Sequence, residues 1–356
     1  MTVRRFTTTE TDPYARGLAL GRFGSEQIAQ NVASYSELFR VVGVDREDLP
    51  GLGRSGFERI AEWAPPLAEE LRGQAEGAGL EVWELGLLNA RTEILATVGA
   101  MGEGECSTSV HAPTTGPPRT LQTWDWHDVS NDETLVVSAP GSAGREVRYF
   151  TEFGILGKIG VNGSGLGVHF NILNHTDDGD GIGVPVHAVA RAIIDRARTI
   201  DDAVAIARSA SVSASTVLTV VSYRDGATRS ACIELSSGGT SVVYPTDDFL
   251  LHTNHFLDGG LARGEMVPET SNTYPRLSHL EDRRVLLSSA DPVSRTVGML
   301  VHESDGAPVC CHADPALSFE HRWQTLLTIA LDVEGTHLEF HEGGPCTVTR
   351  ESWQVF

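Results

Sequence analysis

The chain has 356 residues, 40% of them hydrophobic, and a formal net charge of −21. That is enough apolar material for one large domain or two ordinary ones, and such acidity excludes nucleic acid and an anionic membrane surface, which both need clustered cations. Five cysteines, Cys106, Cys232, Cys310, Cys311 and Cys346, form no C-x-x-C pair, so neither a disulfide framework nor a metal site is expected.

The opening stretch, MTVRRFTTTETDPYARG, has no apolar leader core, and no run reaches the ~18 apolar residues of a membrane-spanning helix. A cytoplasmic protein is expected. Lysine occurs once, at Lys158. Helical spacing of apolar residues predicts a helix over 19–42, a second over 57–80 broken or kinked at Pro65 and Pro66 and ended near Gly79, and a third over 81–98. Within the third, Arg91 and Glu93 flank Thr92 on an apolar stretch and are expected to pair as a structural salt bridge.

After Cys106 the texture becomes short strand-like runs cut by Gly and Asn, at 120–128, 134–140, 146–153 and 157–173. Two helices follow at 184–199 and 199–210, the second expected to be capped by Asp201. Strands resume at 215–225, 230–237, 240–245 and 249–257, then helical segments at 273–290 and 291–304, and a final hairpin around Glu334-Gly335. Strands in two blocks with helices between them predict two packed sheets covered by helices, an α+β arrangement and not alternating βαβ units.

The glycines of GILGKIGVNGSGLGV fit no phosphate-binding spacing and are expected to serve tight turns. In HTNH and WDWHD, neighbouring side chains on a strand point to opposite faces, which argues against a metal. Cys106, in GECSTSV at the junction of the helical and strand-rich parts, raises a sharper question. A cysteine nucleophile usually has a histidine base. Cutting the bond before Cys106 offers another base, a free α-amine with a pKa of about 7.7–8.0, close to the thiol's own ~8.5. Such a site also needs a polar group to hold the amine and a donor for the oxyanion.

GLLNARTEI before GECSTSV, followed by LQTWDW, TEFGILGKIGVNGSGLGVHFNIL, GVPVHAVARAIID and HTNHFL, resembles the isopenicillin N acyltransferase family of N-terminal-nucleophile (Ntn) hydrolases, which cleave themselves before a cysteine. The resemblance runs over nearly the whole chain. It implies an αββα four-layer sandwich of two mainly antiparallel sheets between helical layers. It implies that residues 1–105 and 106–356 become two chains of one folded unit, cut between Glu105 and Cys106. It makes Cys106 the nucleophile, Asp125 the polar residue near the new amine, and Asn254 the oxyanion or amine partner. Arg276 and His312 fall in matching stretches and are expected near substrate.

Two departures matter. The penicillin-forming member has glycine before its cysteine where Glu105 stands, and an Arg for the substrate carboxylate where VCCHADP offers His312. The expected function is therefore a self-processing cysteine amidohydrolase acting on small-molecule amides or acyl thioesters through a Cys106 thioester, with no cofactor. An acyl-coenzyme A-dependent N-acyltransferase and a non-catalytic binding protein on the same fold stay open. The partner expected is the enzyme's own cleaved N-terminal chain; the sequence is silent on oligomeric state.

Overall fold

The computed structural model describes residues 2–100, 106–128, 134–269 and 271–356. A short strand, β1 (Arg4–Thr7), precedes six helices: α1 (Pro13–Phe23), α2 (Ser25–Val41), α3 (Leu49–Trp63), α4 (Pro65–Ala78), α5 (Val82–Asn89) and α6 (Arg91–Thr97). Asp12 caps α1 by accepting the Ala15 N–H at 2.8 Å, with Pro13 at the first helical position. The single helix expected over 19–42 is two. It breaks at Gly24, where a side chain would start 2.2 Å from the Phe153 ring. The expected helix over 57–80 also divides, because Pro65 opens α4 instead of kinking a longer helix. The third divides at Ala90. Helices α1 and α4 touch backbone to backbone. Gly17 and Gly21 lie on the carbonyls of Glu70 and Gln74, while Gly73 and Gly77 lie on those of Tyr14 and Leu18. Any Cβ at these positions would fall about 2 Å from a carbonyl oxygen, so alanine would force the helices apart.

Beyond Cys106 come β2 (Ser107–His111), β3 (Arg119–His127), β4 (Thr134–Pro140), β5 (Glu146–Glu152), β6 (Ile159–Asn162), β7 (Leu166–Ile172), α7 (Val186–Arg196) and α8 (Ile200–Arg208). They are followed by β8 (Thr216–Arg224), β9 (Ala227–Ser236), β10 (Gly239–Val243), β11 (Phe249–His252), α9 (Thr273–Asp282), α10 (Arg284–Leu287) and α11 (Pro292–Thr296). The hairpin β12 (Trp323–Asp332) and β13 (His337–Glu342) and a terminal β14 (Gln354–Val355) complete the chain. One sheet has the order β1-β4-β5-β6-β7-β8-β9-β10 and the other β11-β2-β3-β12-β13-β14. Among the described strands only β1 and β4 pair in parallel.

The sheets pack face to face, β2 on β7 and β12 and β13 on β6. Helices α7 and α8 cover the outer face of the larger sheet; α9, α10 and α11 cover that of the smaller one. This is the expected αββα sandwich. The outer helices of the smaller sheet enclose their own apolar cluster, with Leu121, Leu251, Leu280, Leu287, Met299 and Ala330 at its centre. Helix α8 is capped by Thr199 and not by Asp201. The Thr199 hydroxyl accepts the Asp202 N–H and the Asp202 carboxylate accepts the Thr199 N–H, both at 3.1 Å, leaving Asp201 exposed in the first turn.

Buried polar contacts fasten the N-terminal helices to the sheets. Asn89 donates to the Gly154 carbonyl and accepts the Leu156 N–H. Glu70 on α4 accepts from Arg16 on α1 and Arg191 on α7, all three shielded from solvent. Two guanidiniums outweigh the cost of burying the Glu70 carboxylate and hold it below its ordinary pKa.

Candidate active site

Cys106 stands immediately before β2, next to β3 in the smaller sheet. It is 3% exposed, and its thiol points at the Asp125 carbonyl, 4.0 Å away. Burial pushes the thiol pKa up to about 12 and the Asp125 carboxylate adds to the rise, while Arg276 and Lys158 pull it down. The thiol as it stands is therefore neutral and needs a base. Glu105, on the other side of the expected cut, lies outside the described residues.

Three segments meet at the carbonyl of Cys106. Arg276, on α9 and fully buried, donates through Nη1 to that carbonyl and to Ser107 Oγ, both at 2.9 Å. Its Nη2 donates to Asn254 Oδ1 at 2.9 Å. Asn254 follows β11, and its Nδ2 donates to the Ile172 carbonyl at 2.9 Å. Because Oδ1 takes the guanidinium, the amide has one orientation and Nδ2 must face the opposite way. Asn171 on β7 donates to the Cys106 carbonyl at 3.1 Å and accepts from the Thr108 hydroxyl at 2.7 Å. Asp125 is fully buried on β3, opposite Thr325. The structure thus brings Cys106, Asp125, Asn254 and Arg276 together. Arg276 reaches the backbone of Cys106 and the side chain of Asn254.

Between the sheets, Glu152 gathers Lys158, Arg91 at 3.0 Å and the Tyr35 hydroxyl at 2.7 Å. Trp126 Nε1 donates to the same Tyr35 hydroxyl at 2.7 Å. Lys158 lies over the Trp124 ring at 4.4 Å and Arg91 over Trp126 at 4.0 Å. Glu152 thus sits against two buried basic side chains, Lys158 and Arg91, beside the thiol. Burial, reinforced by Arg91, drives the Lys158 pKa down, and the same burial brings Arg91 to about 9.

The expected Arg91–Glu93 pair is not what forms: Arg91 bonds Glu152, and Glu93 accepts the Val186 N–H at 2.8 Å. Burial lifts the Glu93 carboxyl to about 8, against the pull of that N–H and of Arg91. A carboxyl raised above its ordinary 4.5 supports the fold fully below that pH and progressively less up to about 8. Melting temperature is therefore expected to fall between pH 5 and 8 by an amount that Glu93→Gln removes, with a slope of at most about 1.4 kcal/mol per pH unit. Parallel pH profiles for the two proteins would show that Glu93 is ionised throughout.

His312 lies elsewhere in the fold, on the lining of a cleft of about 370 Å³ with Asn272, Cys310, Cys311, His321 and Trp323. Its Nε2 is 3.7 Å from Cys310 Sγ and 3.5 Å from Cys346 Sγ. Cys311, next to Cys310, donates its N–H to Thr325 Oγ1, and Thr325 stands opposite Asp125, which puts this cleft on the Asp125 side of the site. The histidines of HTNH have other partners: His252 bonds Glu234 at 2.8 Å, and His255 faces the hydroxyls of Thr253 and Thr273. Sequence reasoning overlooked Asn171 and Glu152. Asn171 stands between Phe170 and Ile172, and Glu152 next to Phe153, so each is a polar side chain beside large apolar residues that needs a partner when buried.

Residues 115–346 match the family described as acyl-coenzyme A:6-aminopenicillanic acid acyl-transferase. The chain belongs to that family. Asp125, Asn254, Arg276 and His312 fall inside the matched residues, and Cys106 precedes them. A relative from Emericella nidulans, the acyl-coenzyme A:6-aminopenicillanic-acid-acyltransferase 40 kDa form, is 27% identical over 288 residues, which cover 79% of this chain and 76% of the relative. Among solved structures, penicillin V acylase from Agrobacterium tumefaciens is 16% identical with a TM-score of 0.45, over 67% of this chain and 83% of its own. A variant of conjugated bile acid hydrolase from Clostridium perfringens is 11% identical with a TM-score of 0.47, over 70% and 92%. Membership of the acyl-transferase family makes this chain an enzyme of acyl transfer or amide hydrolysis. No helix among the described residues is long and apolar enough to cross a membrane.

Proposed function

We propose that this acyl-transferase family member is a self-processing Ntn cysteine amidohydrolase whose nucleophile is Cys106. The observation that carries the reading is the single guanidinium of Arg276, which holds the Cys106 carbonyl and the Asn254 amide at 2.9 Å each. In the first event Cys106 Sγ attacks the carbonyl carbon of Glu105. The C–N bond breaks as the C–S bond forms, the thiol proton passes to the departing nitrogen, and water hydrolyses the thioester. Residues 1–105 and 106–356 are then separate chains, and Cys106 carries a free α-amine.

That amine supplies the base that the buried thiol lacks. It takes the thiol proton as sulfur attacks a substrate amide or thioester, and passes it to the leaving group. Asp125 holds the ammonium. Asn254 Nδ2, with one hydrogen on the Ile172 carbonyl, offers its second to the oxyanion. Water then releases the acyl group. Arg276 is a positioning residue, acting through its bonds to Cys106, Ser107 and Asn254. The cleft lined by His312 receives the substrate's remainder, which favours a neutral or cationic leaving amine over an anionic one.

The relative from Emericella nidulans supports a second reading, in which an amine and not water takes the acyl group, with acyl-coenzyme A as donor. Intact mass of the purified protein is expected to show two fragments, beginning at Met1 and Cys106. A panel of simple N-acyl amines, set against acyl-coenzyme A with 6-aminopenicillanate, is expected to show hydrolysis as the faster reaction. Faster penicillin formation establishes the second reading, and turnover by a chain that stays uncut overturns the Ntn scheme.

A further inference from the structure

Four side chains from three separated stretches converge at the wall of the His312 cleft. The ligand atoms of His302, Cys310, His312 and Cys346 all lie within 4.8 Å of one another. A tetrahedral zinc ion with bonds of about 2.3 Å to sulfur and 2.0–2.1 Å to nitrogen requires sulfur and nitrogen about 3.6 Å apart. The two separations from His312 Nε2 are 3.7 Å to Cys310 Sγ and 3.5 Å to Cys346 Sγ. The His302 and His312 rings lie 5.2 Å apart between centroids, placing the fourth donor on the same side.

The backbone presenting these donors is anchored. The Cys310 N–H donates to the Val301 carbonyl at 2.9 Å, tying the His302 and Cys310 stretches together. Cys311 is fastened to β12 twice: its N–H donates to Thr325 Oγ1, and its carbonyl accepts the Thr325 N–H. On the Cys346 side, a Cβ at Gly344 would fall 2.7 Å from Cys310 Sγ, so glycine there leaves room for the sulfur. The donors therefore sit on segments fixed to the sheet, as a metal site requires. Cys346 and His312 are exposed and Cys310 is buried, giving an ion an entry path and a dry inner face.

We propose that His302, Cys310, His312 and Cys346 bind one zinc ion. Two soft thiolates and two imidazoles in tetrahedral array select zinc over the oxygen-seeking cations. Binding displaces two thiol protons to solvent, the thiolates balance the charge of the ion, and no electron moves. The ion joins the stretch from His302 to His312 to the segment after β13 and stiffens the cleft wall on the Asp125 side. It also commits His312 to the metal and not to a substrate carboxylate.

The test uses the full-length protein, reduced, freed of metal by chelation and titrated with Co²⁺ without oxygen. The expected result is saturation at one Co²⁺ per chain, with a thiolate-to-cobalt charge-transfer band and the intense visible bands of a tetrahedral centre, all erased by Zn²⁺. Cys346→Ser and Cys310→Ser should each abolish the tetrahedral spectrum, and His312→Ala should weaken binding about tenfold or more. Cys106→Ala should keep the spectrum, which makes the result independent of the proposed catalysis. Cys346 is exposed, so its serine variant is expected to melt like the metal-free parent. Absence of a stoichiometric thiolate band, or a band unchanged in Cys346→Ser, overturns the proposal. So does protein that, as purified, carries a Cys310–Cys346 disulfide and no zinc.

Discussion

Cys106→Ala is expected to yield a single uncut chain with no measurable turnover. On the proposed scheme the sulfur that attacks substrate is the sulfur that opens the preceding bond, so one substitution removes both events. The fold should survive, because the change takes one sulfur from a buried position and leaves the Cys106 backbone carbonyl with Arg276 and Asn171. Denaturing electrophoresis and intact mass measure processing, and acyl-group release measures turnover. A variant cut at the same bond would implicate an external protease and remove Cys106 from the self-cleavage scheme.

Asn254→Ala is expected to lower kcat by about 10²–10³ while KM changes little, since an oxyanion donor acts chiefly in the transition state. The variant also strands one Arg276 donor, so part of any loss would be misplacement of the Cys106 backbone. Asn254→Asp separates the two effects. It keeps an acceptor for Arg276 Nη2 and removes the Nδ2 donor that faces away from it. Equal losses in both variants mark the donor as the working group. Near-parental turnover in the aspartate variant would assign Asn254 to the framework alone.

Much of this architecture is legible along the chain. Most strand runs of the two blocks, the Glu334-Gly335 hairpin and the helices α7 to α9 fall where local pattern places them, because period and turn chemistry are local properties. The strand expected over 249–257 stops at His252, and the helix expected over 291–304 stops at Thr296. What escapes is set mostly by distant residues, with one local exception at the start of α8. The helix breaks at Gly24, whose backbone leaves helical angles, and the Phe153 ring, supplied from just beyond β5, leaves room for no side chain there. Thr199 outcompetes Asp201 as a cap because its hydroxyl and Asp202 satisfy each other's N–H groups. Arg91 leaves Glu93 for Glu152, a partner that only packing of the helical part on the sheets supplies.

The site divides in the same way. Cys106, Asp125 and Asn254 are the residues that motif order singles out, but Asn171 and the reach of Arg276 appear only when β7 and α9 are laid against β2. The metal-ligating quartet has no compact signature. Its donors are spread over residues 302 to 346 and meet because the segment after β13 returns beside the stretch before β12.

Glu152 and Glu70 each join the helical part to the sheets through buried cations: Arg91 reaches the first from α6, and Arg16 and Arg191 meet the second from either side. On the proposed scheme, opening the bond before Cys106 releases those pairs from the effective concentration of a tethered chain. Departure of the smaller fragment would break the buried Arg91–Glu152 and Glu70–Arg191 pairs and open both faces to water, so on this scheme it is expected to stay as a subunit. Unfolding acquires a different meaning as well. Before the cut it is a unimolecular event that the chain can reverse; afterwards recovery requires an encounter between two partners. On the same scheme, assembly of the αββα layers comes first and scission second, and the persistence of the cut protein rests on its barrier to opening and not on the ease of refolding.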